Sequence, residues 1–204
     1  MWGWFRKKPK YGGKIKYFGL EEWWESSFSD EERREIRRRI EAMFQSSEID
    51  KGHILSTSQE KISYLTGIGA VLNEDSNRHL ADRFFEKADE FFDESQSVFA
   101  KHFAMQSKCG FYYRLREKDP TALDKAIDAC EMSLLVSKQA AQAFLDDGMD
   151  FVPSHHCLKQ YAIIEEKRGN FRKALALSLR AKDEGWSGDW DARIKRLQMK
   201  MDKE

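Results

Sequence analysis

The stretch from Ser154 to Trp186 constrains the fold most, because it has the pattern of two short amphipathic helices joined by a tight turn. Apolar and small residues recur at intervals of three and four on both sides of Gly169, which is the spacing of one buried helix face. Glycine adopts the left-handed backbone conformation without a Cβ clash, so Gly169 is a typical residue for the end of the first helix. One such pair cannot bury its own apolar faces, and we therefore expect neighbouring helices to cover them.

Helical signals continue through the rest of the chain, and no segment predicts a strand. With 3 prolines and 12 glycines in 204 residues, the composition favours long helices over turn-rich β-structure. Ser29 and Glu32 have the spacing of a capping box and predict a helix start. The arginine-rich run 33–39 has glutamates within one turn, which predicts a salt-bridged, solvated face. The buried stripe of this helix is predicted to be Ile36, Ile40, Met43 and Phe44.

Two further helix starts follow from side-chain capping. Thr57 and Glu60 repeat the capping-box spacing. Asp119-Pro120 combines a preferred N-cap residue with a proline in the first turn, and the helix that starts there is predicted to continue to Phe144. After Gly185, Trp186 is expected to pack against the end of its helix. The chain is therefore predicted to be all-α.

Residues 155–186 place apolar and small residues and a turn glycine at eight characteristic positions: Leu158, Tyr161, Ala162, Gly169, Phe171, Ala174, Ser178 and Ala181. With these positions the segment resembles a tetratricopeptide repeat, which is a two-helix unit of about 34 residues. The departures are Glu165, where the repeat usually has an aromatic residue, and Ser178, where it prefers a larger one. The resemblance implies stacked antiparallel helical hairpins that form a superhelix.

A second repeat-like unit lies upstream, where Leu123, Ala126, Cys130 and Ser133 have the same 3, 4, 3 spacing as positions 171, 174, 178 and 181. We predict repeat units at about 96–146 and 154–186 and a capping helix at 189–202. All of these lie in one predicted helical domain, 21–204, preceded by a tail at 1–20. A generic helical bundle is the alternative to a repeat array.

Charge and hydropathy exclude several classes of function. Lys+Arg 35 and Asp+Glu 35 give a formal net charge of +0, and this balance argues against specific nucleic-acid binding. No apolar run approaches 18 residues, and the N-terminus lacks the apolar core of a signal peptide. Cys109, Cys130 and Cys157 are widely spaced and are interpreted as reduced core thiols. These features predict a cytoplasmic protein.

The segment 1–20 is basic and aromatic and contains no acidic residue. Aromatic rings interleaved with lysines are typical of a contact with an anionic membrane surface. A tail whose aromatic residues fold back onto the helical body is the alternative. The cations of this segment are Arg6, Lys7, Lys8, Lys10, Lys14 and Lys16.

The resemblance implies a function as well as a fold, because tetratricopeptide repeats generally bind peptides or partner proteins along the groove of their first helices. We therefore predict a non-catalytic scaffold that binds a protein or peptide and needs no cofactor. Lys159 fits the carboxylate clamp of the chaperone-binding subfamily, but Ile163 stands where that clamp needs an asparagine. The groove is predicted to contain His156, Lys159, Ile163, Glu166, Ala104, Ser107, Phe111 and Arg114.

Two alternative functions stay open. The first is a membrane-peripheral adaptor anchored by residues 1–20. The second is a helical bundle with a small metal or thiol site at His155-His156-Cys157. Adjacent helical residues point in different directions, and neither a CxxC nor an HExxH motif accompanies them. We therefore predict no metal ligand and no catalytic residue.

Overall fold

A computed structural model of the chain describes residues 10–45, 48–73 and 77–203. Within these ranges the regular structure is helical and contains no strand, which confirms the all-α prediction. The chain divides into two compact units, an N-terminal unit, Met1–Glu90, and a C-terminal unit, Phe91–Glu204. The boundary predicted after residue 20 lies within the N-terminal unit. None of the described helices combines the length and the apolarity that crossing a bilayer requires.

In the N-terminal unit, the helix Lys61–Val71 packs along the helix Arg78–Asp89, and their close approach depends on a glycine. A Cβ added at Gly69 would lie 3.1 Å from the ring of Phe85. The helices are α1 (Gly13–Tyr17), α2 (Glu21–Ser27), α3 (Asp30–Phe44), α4 (Lys61–Val71) and α5 (Arg78–Asp89).

The described part of the N-terminal segment belongs to this unit. The backbone N–H of Gly12 donates to the Asp50 carbonyl at 2.7 Å, and that of Gly13 donates to the Gly52 carbonyl at 3.0 Å. Ile15 and Leu20 are buried. Residues 10–20 are thus folded onto the helical body, whereas residues 1–9 lie outside the described residues.

The start of α3 is as predicted, but its buried stripe is shorter. Ser29 Oγ accepts from the Glu32 N–H, and the Glu32 carboxylate accepts from the Ser29 N–H, which confirms the capping box. Ile36 and Ile40 are buried. Met43 and Phe44 are 59% and 56% exposed, so their predicted burial is wrong. They form the last turn of α3, beyond the part of the stripe that other elements cover.

The arginine-rich run has two different environments. Arg38 and Arg39 pair with Glu35, as expected for a salt-bridged face. Arg33 is buried, and its guanidinium donates to the Trp24 carbonyl at 3.1 Å, so the prediction of a solvated position is wrong there. The backbone carbonyls that surround this guanidinium replace the water it loses on burial.

The helices of the C-terminal unit are α6 (Val98–Leu115), α7 (Ala122–Leu134), α8 (Ser137–Asp146), α9 (His156–Lys167), α10 (Phe171–Asp183) and α11 (Trp190–Met201). Helix α6 packs on α7, α9 packs on α10, and α10 packs on α11. Helix α9 also contacts both α6 and α7. The predicted segments 96–146, 154–186 and 189–202 extend over α6–α8, α9–α10 and α11, respectively.

Two helix starts and one helix length differ from the predictions. Helix α4 begins at Lys61, and Thr57 Oγ1 accepts from the Gln59 N–H in a local turn. The predicted helix from Asp119 to Phe144 is divided at Leu135–Val136, and its first part begins at Ala122. Asp119 Oδ1 accepts from the N–H of Thr121, two residues on, so its side chain stabilises a turn before the helix.

The stretch that constrained the prediction most has the expected local structure. Gly169 follows α9 with φ +80°, in the left-handed region that favours glycine. The Trp186 N–H donates to the Ala181 carbonyl at 3.0 Å, and Trp186 is buried behind the end of α10. The apolar and small positions that face inward are Leu158, Tyr161, Ala162, Ala174, Ser178 and Ala181.

Candidate functional site

Helix α6 exposes a line of residues that begins with Phe103 and continues through Ser107 to Arg114. Their spacing keeps them on one face of the helix. Gly110 lies on the same line, and the atoms nearest to a Cβ added there are Arg114 Nη1 at 3.6 Å and His156 Nε2 at 3.7 Å. The missing side chain at Gly110 thus leaves room for two polar side chains, one from α6 and one from α9.

The α6 residues of the predicted groove differ in exposure. Ser107 and Arg114 are exposed, but Ala104 and Phe111 are each 2% exposed and face the core. Each helical residue is rotated about 100° from the one before it. Ala104 and Phe111 were each assigned one position too late along the helix, so they face inward, whereas the preceding residues Phe103 and Gly110 are exposed and half-buried, respectively.

On α9, the predicted residues His156 and Lys159 are exposed, and Ile163 is half-buried. The backbone N–H of His156 donates to the Gln106 side-chain oxygen on α6 at 3.1 Å. This bond satisfies one of the free N–H groups at the start of α9 and connects α9 to α6. The exposed faces of α6 and α9 are therefore neighbours.

Glu166, the fourth predicted residue of α9, is engaged by helix α11. Its carboxylate accepts from Arg193 at 3.1 Å, from Arg196 at 2.9 Å and from Lys200 at 2.9 Å. The hydrogen bond from the Arg196 guanidinium, together with that from the Lys200 ammonium, lowers the pKa of Glu166 to about 2, although burial acts in the opposite direction. The carboxylate is thus ionised and satisfied within the chain, so it is not free to bind a partner's cation.

The surface between α9 and α11 is a shallow depression of about 330 Å³. Four cationic side chains and a single carboxylate line it, which leaves an excess of positive charge. Ile163 supplies an apolar edge. The lining residues are Ile163, Glu166, Lys167, Arg193, Arg196 and Lys200.

The three residues His155, His156 and Cys157 point to three different places. The His155 ring is buried, and its Nδ1 accepts from the Leu158 N–H as the N-cap of α9. His156 is exposed and lies over Gly110, while Cys157 is buried in the core. The three side chains do not converge on one point, as the directions of adjacent helical residues require.

His155 belongs instead to a buried aromatic cluster that no pattern in the sequence predicts. Its ring centroid lies 4.9 Å from that of His102 and 4.6 Å from that of Trp186, and His102 stacks on Trp186 at 5.2 Å. His102 Nδ1 and His155 Nε2 have no hydrogen-bond partner among the described residues. Burial lowers the pKa of His102 to about 4 and that of His155 to about 3, so both are neutral near pH 7.

Three thiols converge next to this cluster. Cys109 on α6, Cys130 on α7 and Cys157 on α9 are fully buried, and their sulfur atoms all lie within 4.8 Å of one another. Hydrogen bonding to the Cys130 thiol, and then to the Cys157 thiol, lowers the pKa of Cys109, and the His156 imidazole acts in the same direction. Interaction with Cys109 raises the pKa of Cys130, and burial raises that of Cys157.

The sequence contained a signal for the basic depression, but not for the thiol cluster. Arg193, Arg196 and Lys200 are spaced at intervals of three and four, which places them on one face of the capping helix. The cysteines lie 21 and 27 residues apart on different helices and have no motif spacing. Searches of protein-family models, of curated proteins and of solved structures found no match to this chain.

Proposed function

We propose that the C-terminal unit is a non-catalytic binding module that holds an acidic peptide segment of a partner protein along α6, α9 and α11. The observation that supports this proposal most directly is the cationic depression between α9 and α11, in which one carboxylate faces four cations. Charge complementarity selects an acidic ligand for such a surface and rejects a basic one. The predicted resemblance to tetratricopeptide repeats supports the same class of function.

The charge of this surface is available to a ligand. Arg114, Lys159 and Lys167 form no salt bridge with any residue that the structure describes. The three cations on Glu166 share a single negative charge, so their excess charge also attracts an anion. Phe103 is 51% exposed and offers an aromatic contact on α6 for an apolar residue of the peptide.

Selection from a random peptide display library on the immobilised full-length protein tests this proposal. We expect the selected peptides to be enriched in Asp and Glu and to bind more weakly as salt concentration rises. The double variant Lys159→Glu/Lys167→Glu should lose this enrichment. The matched control is Arg172→Glu/Lys195→Glu, which reverses two exposed cations that lie neither on α9 nor in the depression.

Selected peptides without an acidic excess would contradict the proposal. Equal binding of acidic peptides to the wild-type protein and to Lys159→Glu/Lys167→Glu would also contradict it. Loss of binding in the Arg172→Glu/Lys195→Glu control would show that net charge, rather than this surface, is responsible. Circular dichroism of each variant verifies that the helical fold is intact.

A further inference from the structure

The three buried cysteines have the spacing of a metal centre. The Cys109 and Cys130 sulfur atoms are 3.4 Å apart, and all three sulfur atoms fit within 4.8 Å. Thiolates on a tetrahedral zinc ion with Zn–S bonds of about 2.3 Å are separated by about 3.8 Å. This value lies inside the observed range, so movements of a fraction of an ångström would complete the site. Soft thiolate ligands favour Zn²⁺ and Cu⁺ over harder cations.

A fourth ligand is available for a tetrahedral ion. His156 adjoins Cys157 in the chain, and its Nε2 lies 3.7 Å from the position of a Cβ on Gly110, the neighbour of Cys109. The His156 side chain is exposed, so its ring can turn between solvent and the thiols. This exposed position also provides a route by which an ion could reach sulfur atoms that are otherwise buried.

A buried hydroxyl beside the thiols lacks a partner. Ser133 is fully buried, and its Oγ has no hydrogen-bond partner among the described residues. Ser133 lies three residues after Cys130 on α7, and its hydroxyl is close enough to the Cys157 thiol to oppose the rise in the pKa of that thiol. A hydroxyl donates more strongly to a metal-bound thiolate than to a neutral thiol, and such outer contacts orient metal ligands. The serine therefore fits a metal-bound form of the cluster.

We propose that Cys109, Cys130 and Cys157, with the His156 imidazole as fourth ligand, form a zinc site that connects α6, α7 and α9. Binding would release the thiol protons to solvent and leave a zinc–thiolate centre in the core of the C-terminal unit. The site shares the exposed His156 with the α6–α9 face of the proposed peptide surface, but Lys159 and Lys167 are not among its ligands. The Lys159→Glu/Lys167→Glu variant should therefore retain it, which separates the failure of one proposal from that of the other.

Cobalt titration of the full-length protein, stripped of metal under reducing conditions, tests the site. We expect saturation at about one Co²⁺ per chain, with the thiolate charge-transfer band and the intense visible bands of tetrahedral cobalt, and displacement by Zn²⁺. Cys109→Ala, Cys130→Ala and Cys157→Ala should each lose this spectrum. Ser133→Ala should weaken binding by about 10- to 100-fold.

His156→Ala keeps the test decisive even if a cysteine variant does not fold, because His156 is exposed and its replacement leaves the core intact. This variant should shift the visible cobalt bands and weaken binding by at least about 10-fold. His79→Ala, which removes another exposed histidine, is the matched control and should bind as wild type does.

Three results would overturn the proposal. The first is the absence of a tetrahedral cobalt spectrum in the folded, reduced wild-type protein. The second is an unchanged spectrum and affinity in His156→Ala, which would remove the fourth ligand. The third is a Cys109–Cys130 disulfide, detected as the loss of two hydrogens in the mass of the isolated protein, together with no metal binding after reduction.

Discussion

Acidification is expected to destabilise the C-terminal unit through His102. This side chain is 1% exposed and lies among Trp186, His155 and Phe144. Its Nε2 contacts the Gln106 amide, and its Nδ1 has no partner among the described residues. A charged imidazolium at this position would lose its hydration without gaining a carboxylate partner. Burial accordingly lowers the pKa of His102 to about 4, whereas the value in an unfolded chain is 6.5.

The direction and the size of the pH effect on the free energy of unfolding follow from this difference in pKa. Between pH 6.5 and about pH 4 the unfolded chain binds a proton that the folded chain does not, so the free energy of unfolding falls as pH falls. The contribution of His102 to stability is complete above about pH 6.5 and is lost as pH decreases toward 4. At about 1.4 kcal/mol per pH unit, the loss is about 2 kcal/mol at pH 5 and about 3 kcal/mol in the acid limit.

The assay is urea denaturation near pH 7.5 and near pH 5, with a chelator and a reductant present so that metal binding does not contribute. His102→Gln replaces the ring with a side chain that does not titrate. The decrease in unfolding free energy between the two pH values should be about 2 kcal/mol smaller in His102→Gln than in the wild type. His53→Gln, at an exposed histidine, should keep the wild-type pH dependence. Equal pH dependence in His102→Gln and the wild type would refute the reasoning.

Three further substitutions have expected results. Gly13→Ala should prevent stable folding of the N-terminal unit, as measured by thermal denaturation, because the added Cβ would lie 2.1 Å from a backbone oxygen. Its control is Gly19→Ala, whose Cβ would have nothing within 4 Å. This control should lower the free energy of unfolding by only about 1 kcal/mol, because residue 19 has a positive φ. Glu166→Ala should cost about 2 to 4 kcal/mol in urea denaturation, because it leaves Arg193, with a side chain 7% exposed, without its carboxylate. Asp50→Ala should cost about 3 kcal/mol in the same assay, because it leaves a buried indole N–H and an arginine without their acceptor.

For each of these substitutions, one result would contradict the predicted effect on stability. Equal losses in Gly13→Ala and Gly19→Ala would show that the close backbone approach is not a constraint. Lys167→Ala is the control for Glu166→Ala, since it removes an exposed neighbour and should change stability by less than about 0.5 kcal/mol. Similar losses in this pair would contradict the network around Glu166. An unchanged free energy of unfolding in Asp50→Ala would contradict the role of that carboxylate as a buried hydrogen-bond acceptor.

Helix type and several helix ends could be predicted because their causes are local. The capping box at Ser29 involves atoms three residues apart, and the left-handed glycine at Gly169 needs only its own backbone. The burial of Trp186 behind its helix has the same short range. Such interactions act within one or two turns, so the residue pattern carries them directly.

Predictions failed where burial depended on neighbours elsewhere in the chain. Met43 and Phe44 continue an apolar stripe, yet they are exposed at the end of α3. Ala104 and Phe111 on α6 were assigned to an outer face and are buried, because α6 is 18 residues long and contacts helices on several sides. Periodicity defines an apolar face, but not how far along the helix other elements cover it.

The sequence by itself determined an all-α chain, the capping box at Ser29, the turn at Gly169 and the exposure of His156 and Lys159. Tertiary structure alone decided that α11 neutralises Glu166, and that Cys109, Cys130 and Cys157 share one point in the core. The physical reason is distance along the chain. Caps and turns form between atoms a few residues apart, whereas these clusters join side chains separated by 21 or more residues, which only helix packing brings together.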